Sequence, residues 1–113
     1  MWLFTTVGFF SIVQKPDDAD TGTLTVRARR RLDLEKLRDE FVPGLGPIRE
    51  TPGADYGFRA SVQSADLAAA MADIVKAIDY DNFKSAVGAE NPYRARTYGA
   101  VWSACLAIAD EEA

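Results

Sequence analysis

Histidine is absent from this sequence, and cysteine occurs once, at Cys105. Without histidine there is no serine-histidine catalysis, and most transition-metal sites lose their commonest ligand. A single cysteine excludes an intramolecular disulfide and suits a reducing compartment, so a cytoplasmic location is expected. Long apolar runs are missing as well. The opening run, Trp2 to Val13, falls well short of the ~20 residues that cross a bilayer, and no membrane association is expected. A secretory leader is not expected either, since no basic segment precedes that run and no small-residue cleavage site follows it. Basic charge is in deficit: 17 acidic residues face 13 basic ones, for a net charge of −4. That balance argues against non-specific coating of nucleic acid, although it leaves room for a local basic site.

The usual ligand-holding motifs are also lacking. Gly44, Gly46 and Gly53 are interspersed with prolines and have no strand-glycine-helix-lysine order around them, so they make no phosphate-binding loop. Asp79 and Asp81, and Asp17, Asp18 and Asp20, have no EF-hand spacing and read as surface loop aspartates. Cys105 lies among apolar residues of the last helix and reads as a buried, inert thiol. No catalytic residue, metal ligand or cofactor is assigned.

The sequence does contain a composition of 48% apolar and 27% charged residues over 113 positions, which is that of an ordinary globular protein. One domain, 1-113, is expected. Trp2 to Val13 (WLFTTVGFFSIV) is so rich in aromatic and β-branched residues that it reads as one strand buried on both faces, with a bend or bulge at Gly8. Lys15 to Gly22 is a polar loop closing a hairpin. Thr23 to Arg30 then alternates, with Leu24, Val26 and Ala28 facing the core and Thr25, Arg27 and Arg29 facing water. Asp33 is the expected cap of a helix through Phe41, with Leu34, Leu37 and Phe41 as its apolar stripe. A short extended piece over Gly46 to Glu50 precedes a turn at Thr51-Pro52-Gly53-Ala54. Tyr56, Phe58, Ala60 and Val62 alternate as the inner face of another strand.

Ser64 is the expected cap of a helix whose stripe is Leu67, Met71, Ile74, Val75 and Ile78. A helical turn over Phe83 to Val87, ended by Gly88, leads to a last helix with Asn91 as cap and Pro92 at its first position. Asp110, Glu111 and Glu112 are a solvated tail. The fold class expected is α+β, an antiparallel sheet of three to four strands with two to three helices packed mainly on one face.

Arg27, Arg29, Arg30 and Arg31 fall within five positions. On a strand, Arg27, Arg29 and Arg31 share a face, and Arg59 joins them if the two alternating strands pair in register. Guanidinium groups gathered in this way bind phosphate or carboxylate. With Phe9 or Phe10 on the same face, cations and aromatics would interleave as on sheets that stack single-stranded bases. The plainer alternative is that the arginines pair with acids on a covering helix or keep a sheet face soluble. Tyr93, Tyr98 and Trp102 on the last helix form a second candidate surface, an interface with a partner subunit, against the ordinary reading of helical aromatics as core.

GFFSIV is similar to a Gly-aromatic strand of the RNA-recognition fold, but the βαββαβ order and the basic residue before the glycine are missing. The opening MWLFTTVGFFSIVQK, taken with TLTVRARRR, TPGADYGFR and DYDNFKSAV, resembles a small bacterial protein family of about this length with no established activity. The resemblance implies a cytoplasmic bacterial protein and carries over no functional residue. The function expected is a non-enzymatic binding or regulatory module that recognises an anionic partner, nucleic acid first, through Arg27, Arg29, Arg31 and Arg59. The alternative is a structural module that self-associates, as a homodimer, through a sheet edge or the C-terminal helix. An enzyme using carboxylates or arginines without histidine is a third reading.

Overall fold

The computed structural model describes residues 1–112. The chain gathers into two compact units, Met1–Ile78 and a second that begins at Asp79. In the first, five strands form one antiparallel sheet in the order β1-β2-β3-β5-β4. They are β1 (Trp2–Phe4), β2 (Phe9–Val13), β3 (Thr23–Ala28), β4 (Arg49–Glu50) and β5 (Phe58–Gln63). The helices of this unit are α1 (Asp18–Thr21), α2 (Arg31–Glu40) and α3 (Ser64–Lys76). The α+β class agrees with the sequence reading, but the sheet has one strand more than the most expected and the chain has five α-helices in place of two or three.

Most of the difference lies in the opening run. It is not one strand but a hairpin, folded back at Thr5 to Gly8 so that Leu3 pairs with Phe10 and Phe4 with Phe9. Thr5 closes the turn. Its amide donates to the Gly8 carbonyl at 2.9 Å, and its hydroxyl accepts from the amides of Val7 and Gly8, each at 3.1 Å. Gly8 is required by close approach: a Cβ there would lie 2.7 Å from Cβ of Asp33. Asp33 is buried and accepts from the Phe9 amide at 3.1 Å, so its carboxylate ties α2 to β2. It is therefore not the expected cap, because Arg30 occupies that place without a side-chain bond. Ser64 likewise begins α3 instead of capping it, and Gln63 precedes it.

One face of the sheet is the core. Phe10, Val26, Ala28 and Ala60 are fully buried, and Leu34 and Leu37 of α2 and Leu67 and Ala70 of α3 pack on the same cluster. Helix α3 buries less than its pattern predicts. Val75 in its last turn and Ile78 beyond its end stay exposed. The segment before β4 behaves as expected: the Gly46 amide bonds the Ser61 carbonyl at 2.8 Å, and the turn at Thr51 to Ala54 places Gly53 at φ +79°.

The second unit holds α4 (Phe83–Glu90), α5 (Pro92–Cys105) and a 3-10 segment, Leu106–Glu112. Asn82 caps α4 by accepting from the Ser85 amide, and Asn91 caps α5 by accepting from the Arg94 amide. Gly88 lies inside α4 and does not end it. Within this pair Val87 and Tyr98 are buried, and Phe83 stacks on Tyr98 with centroids 5.8 Å apart. Cys105 is exposed, contrary to the buried thiol expected, because α5 shows only Tyr98 as a fully buried position.

The fit of Gly8 against Asp33 makes a measurable difference between two glycines. Gly8→Ala is expected to destabilise the protein by about 1–3 kcal/mol through overpacking. Gly57→Ala, where an added Cβ meets nothing within 4 Å, should change stability by no more than about 0.5 kcal/mol. Urea unfolding of both variants checks the pair.

Candidate functional site

Strand parity decides which side chains reach the face opposite the core. A single row crosses all five strands there, with Trp2 beside Ser11, Ser11 beside Arg27, Arg27 beside Arg59, and Arg59 beside Arg49. Neighbouring strands lie about 4.8 Å apart, so the row is roughly 19 Å long. One end is aromatic and the other is three adjacent guanidinium side chains. Arg27 donates to Ser11 Oγ at 2.7 Å, yet the Nε atoms of both Arg27 and Arg59 are buried without an acceptor.

Aromatic rings adjoin the cations. Phe4 stacks on Phe9 at 4.5 Å, Trp2 meets Phe9 edge-on at 6.1 Å, and Phe9 leans toward Tyr56 at 6.3 Å. Over the Tyr56 ring lie the guanidinium groups of Arg27 at 4.7 Å and Arg29 at 4.8 Å. Both distances are in the range where a ring quadrupole attracts a cation. Tyr56 is 4% exposed and precedes β5, so it serves this cluster and not the inner face of a strand as its spacing suggested.

Three of the four arginines proposed from sequence, Arg27, Arg29 and Arg59, therefore stand together. Arg31 does not. The strand ends at Ala28 and Arg31 opens α2, where its guanidinium pairs with Glu35 at 3.1 Å, one helical turn on. Arg49 takes its place in the row, and the sequence offered a signal for it: an extended piece paired with β5 sets Arg49 opposite Arg59. None of Arg27, Arg29, Arg49 and Arg59 takes part in an ion pair; the ion pairs among the described residues are Arg31–Glu35 and Arg38–Asp39. Phe9 shares the cationic face, whereas Phe10 is in the core.

The second candidate surface separates on inspection. Tyr98 faces inward, while Tyr93 and Trp102 are exposed. Nine positions apart on a helix with 3.6 residues per turn, those two lie on opposite sides of α5. The trio forms no single patch. Among the described residues no group of three Cys, Asp or Glu side chains could hold a metal ion, and no helix is long and apolar enough to cross a membrane.

The first unit is thus an α+β sheet with α2 and α3 on one face and, on the other, an arginine-aromatic surface flanked by α1. Compared with known proteins, the chain matches no family model, no curated protein and no solved structure.

Beside the row, α1 is fastened to β3 by Asp18. Hydrogen bonds from the Thr23 hydroxyl at 2.7 Å and the Lys15 amide at 2.7 Å hold this carboxyl below its ordinary value, against the opposing effect of burial. The Thr25 hydroxyl, at 2.8 Å, and the positive charge of Arg49 act in the same direction. A carboxyl whose pKa is lower folded than unfolded stabilises the fold above its unfolded value of about 3.9, and the contribution is lost as pH falls through the folded value. Asp18→Asn should therefore lower stability near neutral pH and flatten the decline of stability below about pH 4. Thermal unfolding of both proteins between neutral and acid pH tests this.

Proposed function

We propose that the row of Arg27, Arg59 and Arg49, with Arg29, Tyr56, Phe9 and Trp2 beside it, binds an anionic partner, and that the partner is single-stranded nucleic acid. One observation carries the reading. Three arginines stand directly opposite one another on neighbouring strands and none of them forms an ion pair, Asp18 acting on Arg49 only at longer range. Like charges placed opposite on a sheet repel, and a solvated surface has no need of such a row. A ligand that brings several negative charges in line turns the repulsion into attraction.

The aromatic end favours single strands over small anions or duplex. Trp2 is 68% exposed, and the rings of Phe4 and Phe9 lie next to it. An exposed π-face beside a line of cations is the combination that stacks unpaired bases while holding their phosphates. The module acts by binding, in a bacterial cytoplasm, where an exposed Cys105 stays reduced. Self-association through the C-terminal segment is a second reading, favoured by Leu106 and Ile108, which are 58% and 59% exposed.

Titration of short fluorescent single-stranded RNA and DNA at several salt concentrations tests the proposal. With four arginines engaged, log affinity should fall with log salt at a slope of about −3, and Arg49→Ala should make the slope shallower by about 0.7. Arg49 is exposed, so its removal leaves the packing intact. Trp2→Ala should weaken single-strand binding by about 1–3 kcal/mol and leave the salt slope unchanged. Absence of binding at low salt, or equal binding by a folded Arg27→Ala/Arg59→Ala variant, would overturn the reading. A mass that rises with protein concentration and ignores these arginines would support the second.

A further inference from the structure

The α4–α5 hairpin carries a cleft that the sheet-face reading does not use. Its volume is about 460 Å³. Ligand pockets run from roughly 300 to 1,000 Å³, and this groove reaches that size while staying shallow and open to solvent. The cleft exists because the hairpin packs through small residues. A Cβ added at Gly88 would meet Cβ of Ala95 at 3.4 Å, and one added at Gly99 would meet Cδ of Lys84 at 3.4 Å. Over Gly99, then, no side chain fills the groove, and the Lys84 stem lies across it instead.

The lining is chemically one-sided. Lys84 and Arg96 supply two cations, Ser85 and Ser103 two hydroxyls, Trp102 an indole, and among the described residues no carboxylate contributes. This basic lining is not a consequence of composition, because the second unit has more acids than bases. The Lys84 ammonium lies 5.4 Å from the centre of the Trp102 ring, which is itself 63% exposed. The cation thus lies over one face of the indole at the mouth of the cleft. Ser85 is in the first turn of α4, where the partial positive charge of a helix start adds to the same field.

We infer that this cleft binds a small planar aromatic anion of mononucleotide size, its ring on Trp102 and its phosphate between Lys84 and Arg96. Ser85 and Ser103 are the hydroxyl partners for the ligand's remaining acceptors. A phosphate alone would leave the indole unused, and an uncharged ring would not draw Lys84 from the Trp102 ring or Arg96 from the Tyr93 ring, over which they lie at 5.4 and 5.6 Å. The inference stands apart from the sheet-face reading, because it uses other residues of another unit.

The test is a titration with adenosine 5′-monophosphate in a Trp2→Phe background, where Trp102 is the remaining tryptophan and reports by fluorescence. Saturable quenching is expected. Adenosine and inorganic phosphate, run as separate arms, should bind at least tenfold more weakly. Lys84→Gln and Arg96→Gln, both at exposed positions, should each weaken the monophosphate by about tenfold, and Arg49→Ala should leave it unchanged. No saturable change up to about 10 mM overturns the inference. So does equal binding of phosphate alone, and so does binding that survives Lys84→Gln but is lost in Arg49→Ala, which would assign the ligand to the sheet.

Discussion

The pairing of Ile12 with Val26 and of Val26 with Ala60 is the constraint on which the first unit depends. These three positions are buried against α2 and α3, and none has a polar atom on its side chain. Side chains alternate strictly along a strand, so a slip of one residue in any of these pairings would carry arginine into the core and valine into water. The cost of burying an unpaired guanidinium far exceeds that of any other error the sheet could make. Register is therefore fixed by the apolar face, and the arginine row is its necessary counterpart on the other side. Arg27, Arg59 and Arg49 stand in line because Val26, Ala28, Phe58 and Ala60 do not tolerate being anywhere else.

That argument explains where the arginines are, but not why the positions hold arginine. Threonine or serine would occupy the same face without mutual repulsion, as Thr25 beside Ser61 does in the next row. The arginine row has charge opposite charge, two buried Nε donors without acceptors, and cation–ring contacts to Tyr56 that partly offset the cost. An unsatisfied buried donor costs on the order of 1–3 kcal/mol. A stability argument alone would remove such a feature. The anionic partner we propose would give the row its counter-charge.

Much of this arrangement could be read from residues in order. The alternation of Thr23 to Arg30 placed Arg27 and Arg29 on one face, and that of Phe58 to Val62 placed Arg59 with them, because period-two patterns survive tertiary context when one face is buried. What could not be read was where strands stop. Trp2 to Val13 is apolar throughout, and nothing in its composition separates one long strand from a hairpin; the Thr5 hydroxyl and the Asp33 carboxylate, which decide it, act through bonds that depend on the fold. Arg31 was lost for the same reason, since the strand ends three residues before it and helix α2 begins at it. Tyr56 obeyed the alternation and still belonged to the other side, because alternation holds only while the chain stays in the sheet. On α5 the apolar spacing was real, but spacing shows which residues share a side, not whether anything covers that side.

The distribution of acids gives the cationic face its sign in an acidic chain. Glu50 is the single acid on any strand of the sheet, and it stands opposite Phe58, on the parity of the core row and not of Arg49. The remaining acids of the first unit fall on its helices and loops, where Glu35 and Asp39 pair with Arg31 and Arg38. Net charge describes the far field, whereas binding responds to the field within a Debye length, about 8 Å at physiological ionic strength. The row itself carries three guanidinium groups and no acid, and Asp18 beside it is held by three hydrogen bonds. For the polyanion we propose, net repulsion by an acidic chain is set against attraction to this one row. A negative total charge on these terms sharpens the selection of that strip, because it weakens every other mode of attachment.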